Sequence, residues 1–228
     1  MVERDEIILR AGSTQQASQE MANHSKKNIK LNTPRPKSYT LGPEHVSGGK
    51  ILANREMLLR ELPQRAITAE IGVDQGDFSA KIMQFTKPSK LHLIDTWDTV
   101  RYNDIKARAV SSRFIKEINE CKIVINRVKS IDAANQFPDG YFDWVYLDTT
   151  HSYIDTIKEL YAYSEKIKTN GYIAGHDYTM GNWRKSLKYG VIEAVAEFCV
   201  KERWKLIYWT ADFTEGNSFA IKRINDRR

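Results

Sequence analysis

Ala69-Glu70-Ile71-Gly72-Val73-Asp74-Gln75-Gly76-Asp77-Phe78-Ser79 is the stretch that decides the fold. An apolar run enters it from Ala66, and Phe78, Ile82 and Phe85 recur at helical spacing beyond it. A strand, a tight turn and a helix are expected in that order. Leu91-His92-Leu93-Ile94-Asp95 then forms a second short apolar run that ends in a carboxylate. Glycines at a strand-to-helix turn let the backbone approach a ligand, and an acid one β-α-β unit later is placed to accept ribose hydroxyls. Glu70 stands where the dinucleotide fingerprint has its first glycine, which counts against a pyrophosphate turn and hydride chemistry.

The same alternation continues outward. Asn103 to Asn119 reads as a weaker helix and Lys122 to Asn126 as a third strand. Phe142 to Leu147 is a compact strand after the turn Pro138-Asp139-Gly140. Ile154, Ile157, Leu160, Tyr161 and Ile167 mark a helix that Asn170-Gly171 would cap, and Tyr172 to Gly175 is a buried strand. Val191 to Cys199 is helical. Leu206 to Trp209 and Phe219 to Lys222 are strands whose connection, holding Glu215-Gly216-Asn217, is too short for a helix, so they should be antiparallel. Upstream, Lys50 to Leu62 reads as one helix stopped by Pro63. The expected fold is α/β, a Rossmann-like three-layer α/β/α domain over 49–228. Its sheet is seven-stranded and mostly parallel, with an antiparallel C-terminal strand. Residues 1–48 are polar and broken by Thr33-Pro34-Arg35-Pro36 and Leu41-Gly42-Pro43. They are expected to be a partly disordered arm, an oligomer contact or a lid, with a short helix near Arg4 to Arg10.

The 228 residues suffice for one domain with a full core. No apolar run approaches the ~20 residues of a membrane span, and the N-terminus lacks a basic-then-apolar signal pattern. A cytoplasmic protein is expected, with a homo-oligomer left open. Cys121 and Cys199 are far apart and are expected to be reduced, partly buried thiols. The net charge of +6 is scattered rather than striped, so a soluble basic surface is the plain reading and a polyanionic acceptor the sharper one.

With these motifs in hand, the chain resembles class I S-adenosylmethionine-dependent methyltransferases, and more narrowly the bacterial "methyltransferase domain 24" group. Four motifs carry the resemblance: Glu70-Ile71-Gly72-Val73 with Gly76; Leu93-Ile94-Asp95; Phe142 to Asp148 with His151-Ser152-Tyr153; and Gly171 to Tyr178. It covers roughly residues 50 to 223. The resemblance implies that Glu70 and Gly72 lie by the methionine part of S-adenosylmethionine and that Gly76 permits the turn. It puts Asp95 on the ribose, Ser130 and Ile131 near adenine, and Asp74 and Asp148 among the cofactor contacts. Asp148, His151, His176 and Asp177 would face the transferring methyl and the acceptor. In the metal-dependent O-methyltransferases of this kind, an acid after the fourth strand and an acid pair after the fifth hold Mg²⁺. Asp148 and Asp177 would then be the metal ligands, with Mg²⁺ or another divalent ion as a second cofactor. Here the pair is His176-Asp177, and imidazole favours transition metals over Mg²⁺.

Each residue also has a plainer role. Asp148 ends an apolar strand and must meet water, a partner, a ligand or a helix N-terminus. His151 is suited to proton transfer near neutral pH, while Thr150 or Ser152 could cap the next helix. His176 could be a buried, hydrogen-bonded histidine. Trp97, Tyr178, Trp183 and Tyr189 could wall a ligand or simply pack. Asn182 to Gly190, with Arg184, Lys185 and Lys188, is a candidate acceptor loop. The expected activity is O-methylation of a small-molecule or saccharide-type acceptor, with His151 as base and His176 and Asp177 assisting. Methylation of RNA or protein is the alternative, less favoured because no RNA-binding module or Asn-Pro-Pro-Tyr-type motif is present. A non-catalytic cofactor-binding partner subunit is the third reading.

Overall fold

The structure is a computed structural model and describes residues 37–182, 186–212 and 214–225. The helix expected near Arg4 to Arg10, most of the N-terminal arm, and Trp183, Arg184 and Lys185 lie outside the described residues.

A 3-10 turn at Pro43–His45 precedes strand β1 (Lys50–Leu52) and helix α1 (Arg55–Glu61). There follow β2 (Ile67–Ile71), α2 (Asp77–Thr86), β3 (Lys90–Asp95), α3 (Asp104–Arg113), α4 (Ile115–Asn119) and β4 (Ile123–Arg127). Next come α5 (Ser130–Ala134), β5 (Phe142–Leu147), α6 (Tyr153–Ser164) and β6 (Ile167–Gly175). The chain closes with β7 (Gly181–Asn182), β8 (Leu187–Lys188), α7 (Val191–Glu202), β9 (Trp204–Thr210) and β10 (Phe219–Arg223).

One eight-stranded sheet runs in the order β1-β9-β10-β6-β5-β2-β3-β4. The β2–β3, β3–β4, β2–β5 and β5–β6 pairs are parallel, and β10 is antiparallel to both β6 and β9. The chain builds outward from β2 through β3 to β4, then crosses back to β5. The C-terminal ends of β2 and β5 therefore flank the switch point where ligands bind in open α/β sheets. Helices cover both faces because strands buried on both sides read as near-continuous apolar runs. Leu58, Leu59, Ile82, Trp97 and Val110 fill one face, and Leu160, Tyr163, Val195 and Phe198 the other.

Three expectations are corrected. The sheet has eight strands, not seven, because residues 50–52 form β1 rather than the start of a helix. They pair in parallel with Tyr208 to Thr210, and Ala211 N–H donates to the Leu52 carbonyl at 2.8 Å. The helix begins only at Asn54, whose side chain accepts Met57 N–H at 3.0 Å. Second, Asn170-Gly171 is not a helix cap but lies inside β6, which is far longer than expected. Gly171 is small for another reason: a Cβ there would stand 2.5 Å from the Asp143 carbonyl of β5. Arg223 of β10 donates to the Ser164, Ile167 and Lys168 carbonyls and holds this early start of β6. Third, Cys121 is exposed, whereas Cys199 is buried; both are free.

Smaller differences are local. The helix expected over Asn103 to Asn119 breaks into α3 and α4 at Phe114. The loop expected from Asn182 contains the short antiparallel pair β7–β8. Within the first 48 residues, Leu41 and the buried His45 pack on the domain. Among the described residues, no helix is long and apolar enough to cross a membrane.

Candidate active site

Two halves of the crevice lie at the C-terminal ends of β2, β3, β5 and β6. The first is the turn between β2 and α2. Gly72 has φ +90°, and a Cβ there would stand 2.0 Å from the Asp148 carbonyl. Only glycine lets β2 and β5 approach this closely at their ends. Asp95, at the end of β3, holds the turn from the side. Its Oδ2 accepts Val73 N–H at 2.9 Å and Asp74 N–H at 3.1 Å, and its Oδ1 accepts Trp97 N–H at 3.1 Å. Three acceptor directions of the carboxylate are taken by backbone, so Oδ1 keeps capacity for a hydroxyl.

Trp97 is 1% exposed and its indole N–H donates to the Asp74 carbonyl at 2.8 Å. It is a prop beneath the turn rather than a wall of the crevice. The Asp74 carboxylate is ion-paired with Lys106 of α3. Glu70 is 1% exposed, and Ser79 of α2 donates a short hydrogen bond to its carboxylate. Burial holds the Glu70 carboxyl well above the usual carboxylate range, against the Ser79 bond that favours the charged form. Glu70 thus ties β2 to α2 from below.

Ser130 and Ile131 open α5 and are half-buried. Ser130 is fixed by two α6 residues, Tyr163, which donates to its carbonyl at 2.8 Å, and Glu159. Glu159 is buried and also accepts the Thr149 hydroxyl at 2.9 Å, linking the loop after β5 to α5. Burial pushes its carboxyl up to about 7, with the Ser130 and Thr149 bonds pulling the other way. No motif pointed to Glu159; a single acid among the apolar positions of α6 was the only trace of it in the sequence.

The second half is built on the loops after β5 and β6. Asp148 N–H donates to the Ile71 carbonyl at 2.8 Å and His176 N–H to the Leu147 carbonyl at 2.9 Å, so both loops are registered by the sheet. His151 and Asp177 have φ +60° and +52°, conformations that non-glycine residues adopt only where the surroundings enforce them. They meet: His151 Nδ1 is 3.1 Å from Asp177 Oδ2. His176 Nδ1 lies 3.6 Å from Asp177 Oδ2 and 3.8 Å from Asp148 Oδ2. Burial opposes charge on His176, yet the adjoining Asp177 and Asp148 carboxylates lift its pKa above the ordinary value. Burial raises Asp148, with His176 and His151 acting against it. Asp177 is lowered: burial opposes this, but the two imidazoles outweigh it.

Ser152, not Thr150, caps α6, its hydroxyl accepting Asp155 N–H at 3.1 Å. His151 is left at the mouth, held by a bond from Gly190 N–H to its carbonyl (2.9 Å) and by the Tyr189 ring at 4.9 Å. Tyr178 packs on Phe219 instead. One ligand atom each from Asp148, His151 and Asp177 falls within a 4.8 Å span, close enough to converge on a cation. Asp148 and Asp177, named from the sequence as a metal pair, are thus brought together, with His151 joining them.

Residues 69–178 match the family described as Methyltransferase domain. Solved structures share the fold. A Corynebacterium glutamicum protein from a structural genomics programme is 12% identical with a TM-score of 0.56, over 91% of this chain and 90% of its own. A putative methyltransferase from Streptococcus mutans, solved with SAH, is 12% identical with a TM-score of 0.52, over 75% and 96%. The tRNA methyltransferase TrmK of B. subtilis is 13% identical with a TM-score of 0.55, over 76% and 67%. At these identities the likeness shows the fold. No curated protein matches the sequence.

The fold is Rossmann-like, with a glycine turn at its crevice. With the domain match, this chain is an S-adenosylmethionine-dependent methyltransferase. The described residues fit that cofactor: Asp95 keeps acceptor capacity beside the glycine turn, and Ser130 is fixed on the far side of β3.

Proposed function

We propose that the enzyme methylates a hydroxyl of a small-molecule or saccharide-type acceptor by in-line displacement, with His151 as general base. The observation that carries this reading is the 3.1 Å His151–Asp177 pair at the mouth of the crevice. A carboxylate on Nδ1 fixes the tautomer that leaves Nε2 free to accept a proton. When bound, S-adenosylmethionine supplies the electrophilic methyl group. As the acceptor oxygen attacks, its proton passes to His151 Nε2, and Asp177 stabilises the imidazolium so formed. His176 and Asp148 sit behind the pair, and His176 positions Asp177. Holding the acceptor in line supplies much of the rate.

On this reading Asp95 takes a ribose hydroxyl, Ser130 and Ile131 border adenine, and Glu70, Gly72, Asp74 and Gly76 shape the turn at the methionine end. The test is release of S-adenosylhomocysteine on incubation with a panel of hydroxylated small molecules and sugars. His151→Gln should lower turnover by roughly 10²- to 10⁴-fold while S-adenosylhomocysteine binding stays unchanged. An active His151→Gln enzyme would sink the base assignment.

A second reading is supported by the convergence of Asp148, His151 and Asp177. These residues would hold a divalent cation that orients the acceptor oxygen. The mixed imidazole and carboxylate set suits Mn²⁺, Fe²⁺ or Zn²⁺ better than Mg²⁺. Turnover abolished by chelation and restored by one of these ions would select it over the general-base reading.

A further inference from the structure

We propose that Arg55 anchors a carboxylate subsite beside the glycine turn, and that its carboxylate is the one on the methionyl end of the cofactor. The proposal rests on the cofactor assignment above and adds a residue outside the matched domain.

Arg55 is the first residue of α1. Its guanidinium lies over the Phe78 ring, 4.7 Å from the centroid, and Phe78 is the second residue of α2, directly after the turn. Its charge also acts on Asp148 and Asp177 across the crevice. Arg55 therefore lies between the cofactor half and the acceptor half.

Its hydrogen bonding is incomplete. Nη2 donates to Glu215 Oε2 at 2.7 Å, while Nε is buried and has no acceptor. Nε–H and Nη2–H form one edge of the guanidinium, which a carboxylate takes with both oxygens. Glu215 uses only half of that edge. Its side chain is 50% exposed, and it also stands 4.0 Å from Lys81. Such a partner is weak and exchangeable.

The neighbouring atoms point the same way. Among the described residues, four buried side-chain polar atoms lack a partner: Arg55 Nε, Thr68 Oγ1, His176 Nε2 and Asn217 Oδ1. Three of these belong to one neighbourhood. Asn217 is two residues from Glu215, and a Cβ on Gly216 between them would lie 3.4 Å from His176 Cε1 and 3.1 Å from Asp177 Oδ1. Buried polar groups in folded proteins are paired, so this concentration marks a place for a polar ligand. The charges narrow its class. One half-occupied cationic edge, within reach of the charges of Asp148, Asp177 and Glu215, suits a monoanion and disfavours a phosphate dianion. An amino-acid zwitterion fits best, its carboxylate on Arg55 and its ammonium toward the carboxylates. That favours the cofactor over an acceptor acid as the source.

The experiment is calorimetric titration of the full chain with S-adenosylhomocysteine and with 5′-methylthioadenosine, which lacks the amino-acid end. Arg55→Met should weaken S-adenosylhomocysteine roughly 10- to 100-fold and leave methylthioadenosine within about twofold of wild type. Arg55→Lys, which keeps charge but not the edge, should recover only part of the loss. Glu215→Gln should tighten S-adenosylhomocysteine, because it removes the competing carboxylate. If Arg55→Met leaves both nucleosides unchanged but abolishes binding of acetate to the S-adenosylhomocysteine-loaded protein, the subsite stands and its source is the acceptor. An equal fall for both nucleosides, or no change in any of the three ligands, overturns the proposal. A folded wild-type protein that binds neither nucleoside removes the cofactor assignment itself, a result distinct from either.

Discussion

The two halves of the crevice are built by different means. On the cofactor side the backbone carries the structure: Gly72 abuts the Asp148 carbonyl, and Asp95 gathers the amides of Val73, Asp74 and Trp97. On the other side, which the proposed function gives to the acceptor, the structure is carried by charged side chains on two loops, two of them at positive φ. A turn that binds a constant ligand can be fixed by backbone geometry. A site that must recognise one acceptor and move a proton depends on side chains whose charge and placement are tuned by neighbours. Damage to the first half should therefore appear as lost stability or cofactor affinity, and damage to the second as lost turnover.

The comparison can be broken most severely at its seam. Gly72→Ala puts a Cβ into the Asp148 backbone at a positive φ, and should cost on the order of 3–5 kcal/mol in urea unfolding together with cofactor binding. A stable, binding-competent Gly72→Ala protein would mean the two strand ends are not locked together. At the proposed catalytic pair, His151→Gln should remove turnover without moving the unfolding midpoint by more than a few degrees. The sharper contrast is Asp95→Ala. It strips three backbone amides of their acceptor, and should weaken S-adenosylhomocysteine roughly 10- to 100-fold by calorimetry. Asp95→Asn should retain part of that affinity.

The smallest effect tests the brace between the two halves. The Glu159 carboxyl has its pKa raised from 4.5 to about 7 in the folded protein. The folded state therefore binds the proton more tightly than the unfolded chain. Stability from this group is full below pH 4.5 and is lost as pH rises through about 7. Wild type should lose on the order of 2–3 kcal/mol relative to Glu159→Gln between pH 4.5 and 8, read from urea midpoints across that range. Parallel pH profiles for the two proteins would show that Glu159 is solvated like an ordinary surface acid.

Much of this was legible before any coordinates. Alternating apolar runs and helical spacings located β2 through β6 and the antiparallel β10, because period and turn chemistry are local properties. The one-helix reading of residues 50–62 failed because the edge of β9 offered hydrogen bonds that no local pattern records. Asn170-Gly171 misled for a related reason: a glycine needed for contact with a neighbouring strand looks, in sequence, like a glycine needed for a cap.

For the site, the sequence by itself determined which chemistry-bearing residues stand at the strand ends: Glu70, Gly72, Asp95, Asp148, His151, His176 and Asp177. It could do so because a strand's C-terminal residue and the turn after it are adjacent in the chain. Only the tertiary structure decided how they divide the work. It sent Glu70 under the turn to Ser79, paired Asp74 with Lys106, and joined His151 to Asp177 across two loops. It also brought in Arg55 and Glu159, which no motif marks. Those pairings join residues far apart in the chain. They are set by the order in which the strands assemble and by the cost of burying a charge without a partner.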